Sequence, residues 1–245
     1  MNYPVSPRIL REDSKNSTYT ETKPSNLFKN IVSCFWCLSA KKQLDKSFEY
    51  LIIPDACVDL VFDISSKPSF DGALVMTAGL KVQKIDLGKN FNYVGIRFYP
   101  GVWKYNLKNI IDSALFLDVL GKKECAEIRN KSDEYLTILE NFTQYLLDFN
   151  YVSENKLVIT LINNIEKINF VKDMGKIVSL SERQLRRKTM NETGYRPHDL
   201  MKILRFHNSL SHNDISQYSD QAHYIRSFKK ITNETPVSFI DLYTE

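Results

Sequence analysis

Four cationic side chains, Arg183, Arg186, Arg187 and Lys188, stand within six residues of one another in the last third of this 245-residue chain. Steps of three and four place the arginines on one arc of a helix. A guanidinium can bond guanine O6 and N7 through two N–H groups, or grip a phosphate in the same forked geometry. The ammonium of Lys188 suits a backbone phosphate. The flanking residues sharpen the reading. Ser181 is a favourable N-cap, Gln184 stands three residues on as a capping box requires, and Leu185 supplies an inward anchor. Residues 171–177 read as a short helix and 177–181 as a tight turn. Helix, turn and basic helix in this order form a unit that lays its second helix, residues 181–191, in a DNA major groove. A merely solvated basic helix would satisfy the composition, but it would require neither the turn nor the cap.

A second group with chemical potential lies far upstream. In the run Cys57-Val58-Asp59-Leu60-Val61-Phe62-Asp63, strand alternation puts Val58, Leu60 and Phe62 on one face and Asp59, Val61 and Asp63 on the other. In Tyr93-Val94-Gly95-Ile96-Arg97-Phe98-Tyr99, Tyr93, Arg97 and Tyr99 share the face opposite Val94, Ile96 and Phe98. If the polar faces look into a barrel, Asp59, Arg97 and Tyr99 line a cavity for a small-molecule effector. A structural ion pair or plain solvated faces account for the same pattern, and both readings stand. The Cys34-Phe35-Trp36-Cys37 spacing is read as buried thiols in a strand. Cys57 and Cys125 supply no second C-x-x-C, and all four histidines lie beyond residue 190, so no zinc site and no cofactor is expected. No histidine is available in the N-terminal half to activate a Cys or Ser nucleophile, and the chain is not expected to be an enzyme.

These groups need elements to hold them. Residues 1–26 are polar and mixed and read as an irregular arm. From 27 to 150 the pattern is β-rich, with strands expected over 31–38, 48–53, 57–64, 74–78, 81–85 and 93–99, followed by helices over 112–120 and 133–149. Many short strands punctuated by Pro and Gly suggest a barrel or sandwich. The helix over 133–149 carries an apolar stripe from Tyr135 to Phe149. That stripe is covered either by its own β-domain or by the same helix of a second chain, giving a homodimer. From 155 to 245 the chain reads as wholly helical. The class expected is therefore α+β, with an N-terminal regulatory β-domain and a C-terminal all-α helix-turn-helix domain. Charge follows the same division: residues 1–154 hold 19 Lys/Arg and 19 Asp/Glu, residues 155–245 hold 14 and 10. A neutral part joined to a basic part suits a sensing or pairing domain attached to a polyanion reader. No early segment looks like a signal peptide and no apolar run approaches membrane-spanning length, so a cytoplasmic protein without a membrane partner is expected.

The run Leu180-Ser181-Glu182-Arg183-Gln184-Leu185-Arg186-Arg187, with Thr193-Gly194-Tyr195-Arg196-Pro197 and Ile203-Leu204-Arg205-Phe206, resembles the first helix-turn-helix and linker helix of AraC/XylS-type transcription regulators. Residues 218–229 resemble that family's second recognition helix, and Thr235-Pro236-Val237-Ser238-Phe239 its closing motif. Residues 53–62 and 94–101 look like the N-terminal domain of one branch. The resemblance implies a sequence-specific regulator that binds double-stranded DNA through two modules in successive major grooves. By position it implies that Arg183, Arg186 and Arg187 serve the first module, and Gln221, His223 and Arg226 the second. The chain departs from the pattern at Thr189, where the family has a larger core residue, and at Gly175, where it has a small alanine. Between Arg205 and Tyr218 it has about half the residues the second module needs. The alternative is therefore a regulator impaired in DNA binding, acting as an antagonist through its N-terminal domain. Either the linker helix is shortened and the second module is rebuilt around Leu210 and Ile215, or that module is degenerate.

Overall fold

The computed structural model describes residues 16–77, 79–104, 114–117, 120–212 and 215–243. Among the described residues eight strands precede eight α-helices, so the chain is α+β with a β-rich N-terminal part and an all-α C-terminal part. β1 (Ser17–Thr22), β2 (Val32–Ala40), β4 (Val58–Asp63), β5 (Ala73–Thr77), β7 (Asn92–Phe98) and β8 (Ala114–Leu117) make one antiparallel sheet in the order β1-β2-β7-β4-β5-β8. β3 (Glu49–Ile52) and β6 (Gln83–Asp86) pair with each other as a separate ribbon.

Two expectations fail here. The polar stretch expected as an irregular arm contributes β1, whose Thr and Tyr alternation pairs along β2 from Ser17–Ala40 to Thr22–Phe35. An edge strand has one solvated side, and its polar residues hide it from hydrophobic patterning. The helix expected over 112–120 is instead strand where it is described: Ala114–Leu117 pairs with β5. A short apolar run fits either state, and the open edge of β5 decides it. Residues 1–15, 112–113 and 118–119 lie outside the described residues.

The six-stranded sheet has two unlike faces. Val58, Leu60 and Phe62 of β4 and Val94, Ile96 and Phe98 of β7 are fully buried on one of them. They pack against α1 (Lys122–Asn130) and α2 (Tyr135–Asp148) through Cys125, Ile128, Ile138, Leu139, Phe142 and Leu146. The inner face of α2 is thus covered by its own β-domain, and the large apolar side chains left exposed at its outer edge are Tyr145 and, just past its end, Phe149. The other face carries Trp36, Val61, Leu74, Met76 and Tyr93 and looks toward the β3–β6 ribbon. Trp36 lies flat across β7 because position 95 is glycine; a Cβ there would come within 2.4 Å of the indole ring. Cys34 packs on this face and Cys37 on the opposite one, as odd spacing in a strand dictates, so the two thiols cannot share a ligand.

The C-terminal part runs α3 (Lys156–Asn163), α4 (Val171–Ile177), α5 (Glu182–Thr193), α6 (Pro197–His212), α7 (Gln221–Thr232) and α8 (Pro236–Tyr243). Leu157, Leu161, Ile165 and Ile168, expected as one face, are all buried with Met174, Leu185 and Leu200. The two parts are joined by the segment that leaves β3. Ile53 packs on Phe206, Phe228 and Ile231, Ala56 packs in the α3–α6 core, and the Pro54 carbonyl meets the buried imidazole of His207 at 2.6 Å. Among the described residues no helix is long and apolar enough to cross a membrane.

Candidate functional site

The basic helix is built as a capped, anchored platform. The Ser181 hydroxyl accepts from the Gln184 amide at 3.3 Å, and the Gln184 side chain accepts from the Ser181 amide at 3.0 Å, closing the capping box. Before it, Ser179 takes a left-handed conformation (φ 54) and the Leu180 amide donates to the Gly175 carbonyl at 2.8 Å. That approach explains Gly175: a Cβ there would lie 2.8 Å from the Leu180 carbonyl oxygen. Leu185 and Thr189 are fully buried on the inner face of α5. The Thr189 hydroxyl donates to the Leu185 carbonyl at 3.0 Å, which satisfies its polar group inside the core. Arg183, Arg186, Arg187 and Lys188 are all exposed, and none makes an ion pair among the described residues. Cationic donors held on a rigid helix without internal partners are free to meet an external anion.

The residues after Arg205 build a packed cluster, though not around the expected pair of Leu210 and Ile215. Ile215 is exposed at 39%, so it cannot centre a core. The helix expected to be shortened is not: α6 continues to His212. Phe206 meets Phe228 of α7 edge-on, ring centroids 5.2 Å apart, and Leu210 and Tyr224 pack on the same cluster. Leu51 and Ile53 of the β-domain complete it. Gln217, buried beyond α6, donates to the Ile165 carbonyl and ties the segment back to the first module. Asp220 caps α7 by accepting from the His223 amide at 2.6 Å. Gln221 and Arg226 are exposed. His223 is partly enclosed, edge-on to Tyr218 and within 3.1 Å of the Ser219 hydroxyl. Lys229 and Lys230 are also exposed, three and four residues after Arg226 and so on its face. The sequence reading missed them, although that same spacing was available to find them.

Between the large sheet and the β3–β6 ribbon lies a cavity of about 180 Å³. Asp59 and Arg97 line it, as the strand alternation predicts. Tyr99 does not: it packs where the β-domain meets the C-terminal helices. β4 and β7 set Asp59 opposite Arg97 in register, and Arg97 Nε reaches Asp59 Oδ1 at 3.1 Å. Asp55, missed by the sequence reading, approaches the same Nε at 3.4 Å, and Glu21 of β1 approaches Nη1 at 3.4 Å. The Trp36 indole donates to Asp59 at 2.7 Å. Burial, set against the neighbouring guanidinium, leaves the Asp59 carboxyl raised to about 6 and Asp55 raised as well. Burial also pushes the Tyr50 phenol up.

A family described as a domain of unknown function (DUF6597) matches residues 20–114. No curated protein matches the chain. Similar solved structures include two of ToxT from Vibrio cholerae. One is 10% identical with a TM-score of 0.44, covering 94% of this chain and 98% of that one. The other, of wild-type ToxT bound to an unsaturated fatty acid, is 11% identical with a TM-score of 0.43, covering 100% and 98%.

Proposed function

We propose that this protein is a sequence-specific DNA-binding transcription regulator of the AraC/XylS type, with α5 as its principal reading helix and the β-domain as its effector-sensing part. The observation that carries the reading is α5 itself: a capped helix, anchored by Leu185 and Thr189, that exposes four cations without internal partners. Arg183, Arg186 and Arg187 are assigned to base edges and phosphates and Lys188 to phosphate. Gln221 and Arg226 are assigned to the second groove, with His223 at its margin. Pairing of two chains through Tyr145 and Phe149, the exposed edge of α2, belongs to the same reading.

The antagonist reading draws on the absence of a separate first helix in the second module. What favours a working reader is that Phe206 and Leu210 of α6 pack beneath α7 in its place. The test is selection of binding sites from sheared genomic DNA, followed by fluorescence anisotropy on the selected duplex. Affinity is expected to fall steeply with salt, as counterion release requires. Arg186→Ala should cost about 1–3 kcal/mol of binding and relax preference at one base pair, whereas Lys188→Ala should weaken all duplexes alike. Folded protein that selects no site would sink the proposal.

A further inference from the structure

We infer that the cavity between the sheet and the β3–β6 ribbon takes a small organic cation, an ammonium group on an apolar body about as large as a benzene ring with a short arm. The inference rests on the reading of the β-domain as a sensor and names the class of its effector.

Charge is the first argument. Among the described residues three carboxylates, of Glu21, Asp55 and Asp59, converge on the single guanidinium of Arg97 at 3.1–3.4 Å. Both aspartates line the cavity with that arginine, and with both ionised the polar end carries one negative charge in excess. A buried excess charge is costly unless something neutralises it. An anionic ligand would make that balance worse, and it would find Nε and Nη1 of the arginine already turned toward carboxylates. A neutral polyol would leave the excess standing. An ammonium group removes it.

The walls are the second argument. Trp36, Tyr50, Phe70 and Tyr93 surround the space, and Phe70 and Tyr93 stack with an interplanar angle of 12°. Aromatic faces attract cations, most strongly where water is excluded. Tyr50 lines the cavity, and its hydroxyl makes no hydrogen bond among the described residues, which leaves the oxygen without a donor of its own. Size is the third argument: about 180 Å³ is comparable with a cavity of about 150 Å³ known to hold benzene.

Three probes with a common phenyl ring and similar chains separate the alternatives: 2-phenylethylamine, 2-phenylethanol and 3-phenylpropionate. Each is titrated calorimetrically into the full-length protein near neutral pH, and DNA binding is measured on the same preparation. The amine is expected to bind about tenfold or more tighter than the alcohol, and the acid not to saturate. Asp59→Asn should remove that preference, and Val61→Phe, which fills the cavity, should remove binding of all three. Should Asp59→Asn fail to fold, Asp55→Asn tests the same charge, and the wild-type series needs no variant. If the acid or the alcohol binds as tightly as the amine, or no probe binds at millimolar concentration to protein that still binds DNA, the cation assignment is overturned and the regulator reading stands. Amine binding by folded protein that selects no DNA overturns the regulator reading while leaving the cation assignment in place.

Discussion

His207 is fully buried at the joint between the two parts of the molecule, and its Nε2 must carry a proton because its partner, the Pro54 carbonyl, can only accept. Burial lowers its pKa to about 4, so the folded protein holds it neutral at pH 5, where the unfolded chain, with an ordinary imidazole near 6.5, binds a proton. The unfolded state then gains protons that the folded state refuses, and stability falls with pH between about 6.5 and 4. From pH 7 to pH 5 that loss is about 2 kcal/mol. Asp59 runs the other way: its carboxyl, raised to about 6, makes the folded state the tighter proton binder between about 4 and 6, so acid relieves its burial. The net slope of the wild type mixes these with Asp55, whose carboxyl burial raises as well. Comparison with His207→Gln, which keeps an N–H donor and cannot titrate, isolates the imidazole. Urea midpoints at pH 7 and pH 5 should show the wild type losing about 2 kcal/mol relative to the variant; equal losses would remove His207 from the account.

The α4–turn–α5 unit shows how local geometry overrides propensity. Gly175 costs its helix about 1 kcal/mol against alanine, which would make Gly175→Ala stabilising on an isolated helix. Here the new Cβ would lie 2.8 Å from the Leu180 backbone oxygen, and backbone cannot swing aside as a side-chain tip can. Gly175→Ala should therefore lower the thermal midpoint and weaken DNA binding together, because the strain is relieved by moving the entry of α5. A raised midpoint with unchanged binding would contradict this. The elements legible in the sequence are those whose signals are local: the capping box at Ser181 and Gln184, the alternation that parts Asp59 and Arg97 from their apolar neighbours, and the helical face of Leu157, Leu161, Ile165 and Ile168. Illegible were features decided by partners distant in the chain. β1 becomes a strand because β2 offers it an edge, and Ala114–Leu117 because β5 does. The inner face of α2 is claimed by the sheet, and nothing in residues 133–149 says whose surface covers them. Asp55 escaped notice because it sits in a turn after β3, where no periodicity points it at Arg97.

At the scale of the whole molecule, the β-rich part and the C-terminal helices share a core. The segment that follows β3 makes four contacts in four residues: Ile53 packs on α7, the Pro54 carbonyl accepts from His207 of α6, Asp55 faces Arg97 at the cavity, and Ala56 enters the α3–α6 cluster. The Val82 amide next to β6 donates to the Ile231 carbonyl of α7 at 2.8 Å. Helices α3 to α6 have a core of their own, whereas α7 and α8 pack on the end of α6 and on Leu51 and Ile53 of the β-rich part. Leu51→Ala should therefore cost about 2–4 kcal/mol, and the cost should fall unevenly. Native-state hydrogen exchange on the full-length variant is expected to speed amides 228–232 by about tenfold or more while amides 185–189 keep their protection, because partly independent units open separately. DNA affinity should drop as well, although Leu51 is on a strand of the β-domain and touches no recognition residue. Uniform loss of protection across both modules would mean that the second module is no more dependent on the β-domain than the first, and the shared core would then be packing without consequence for reading.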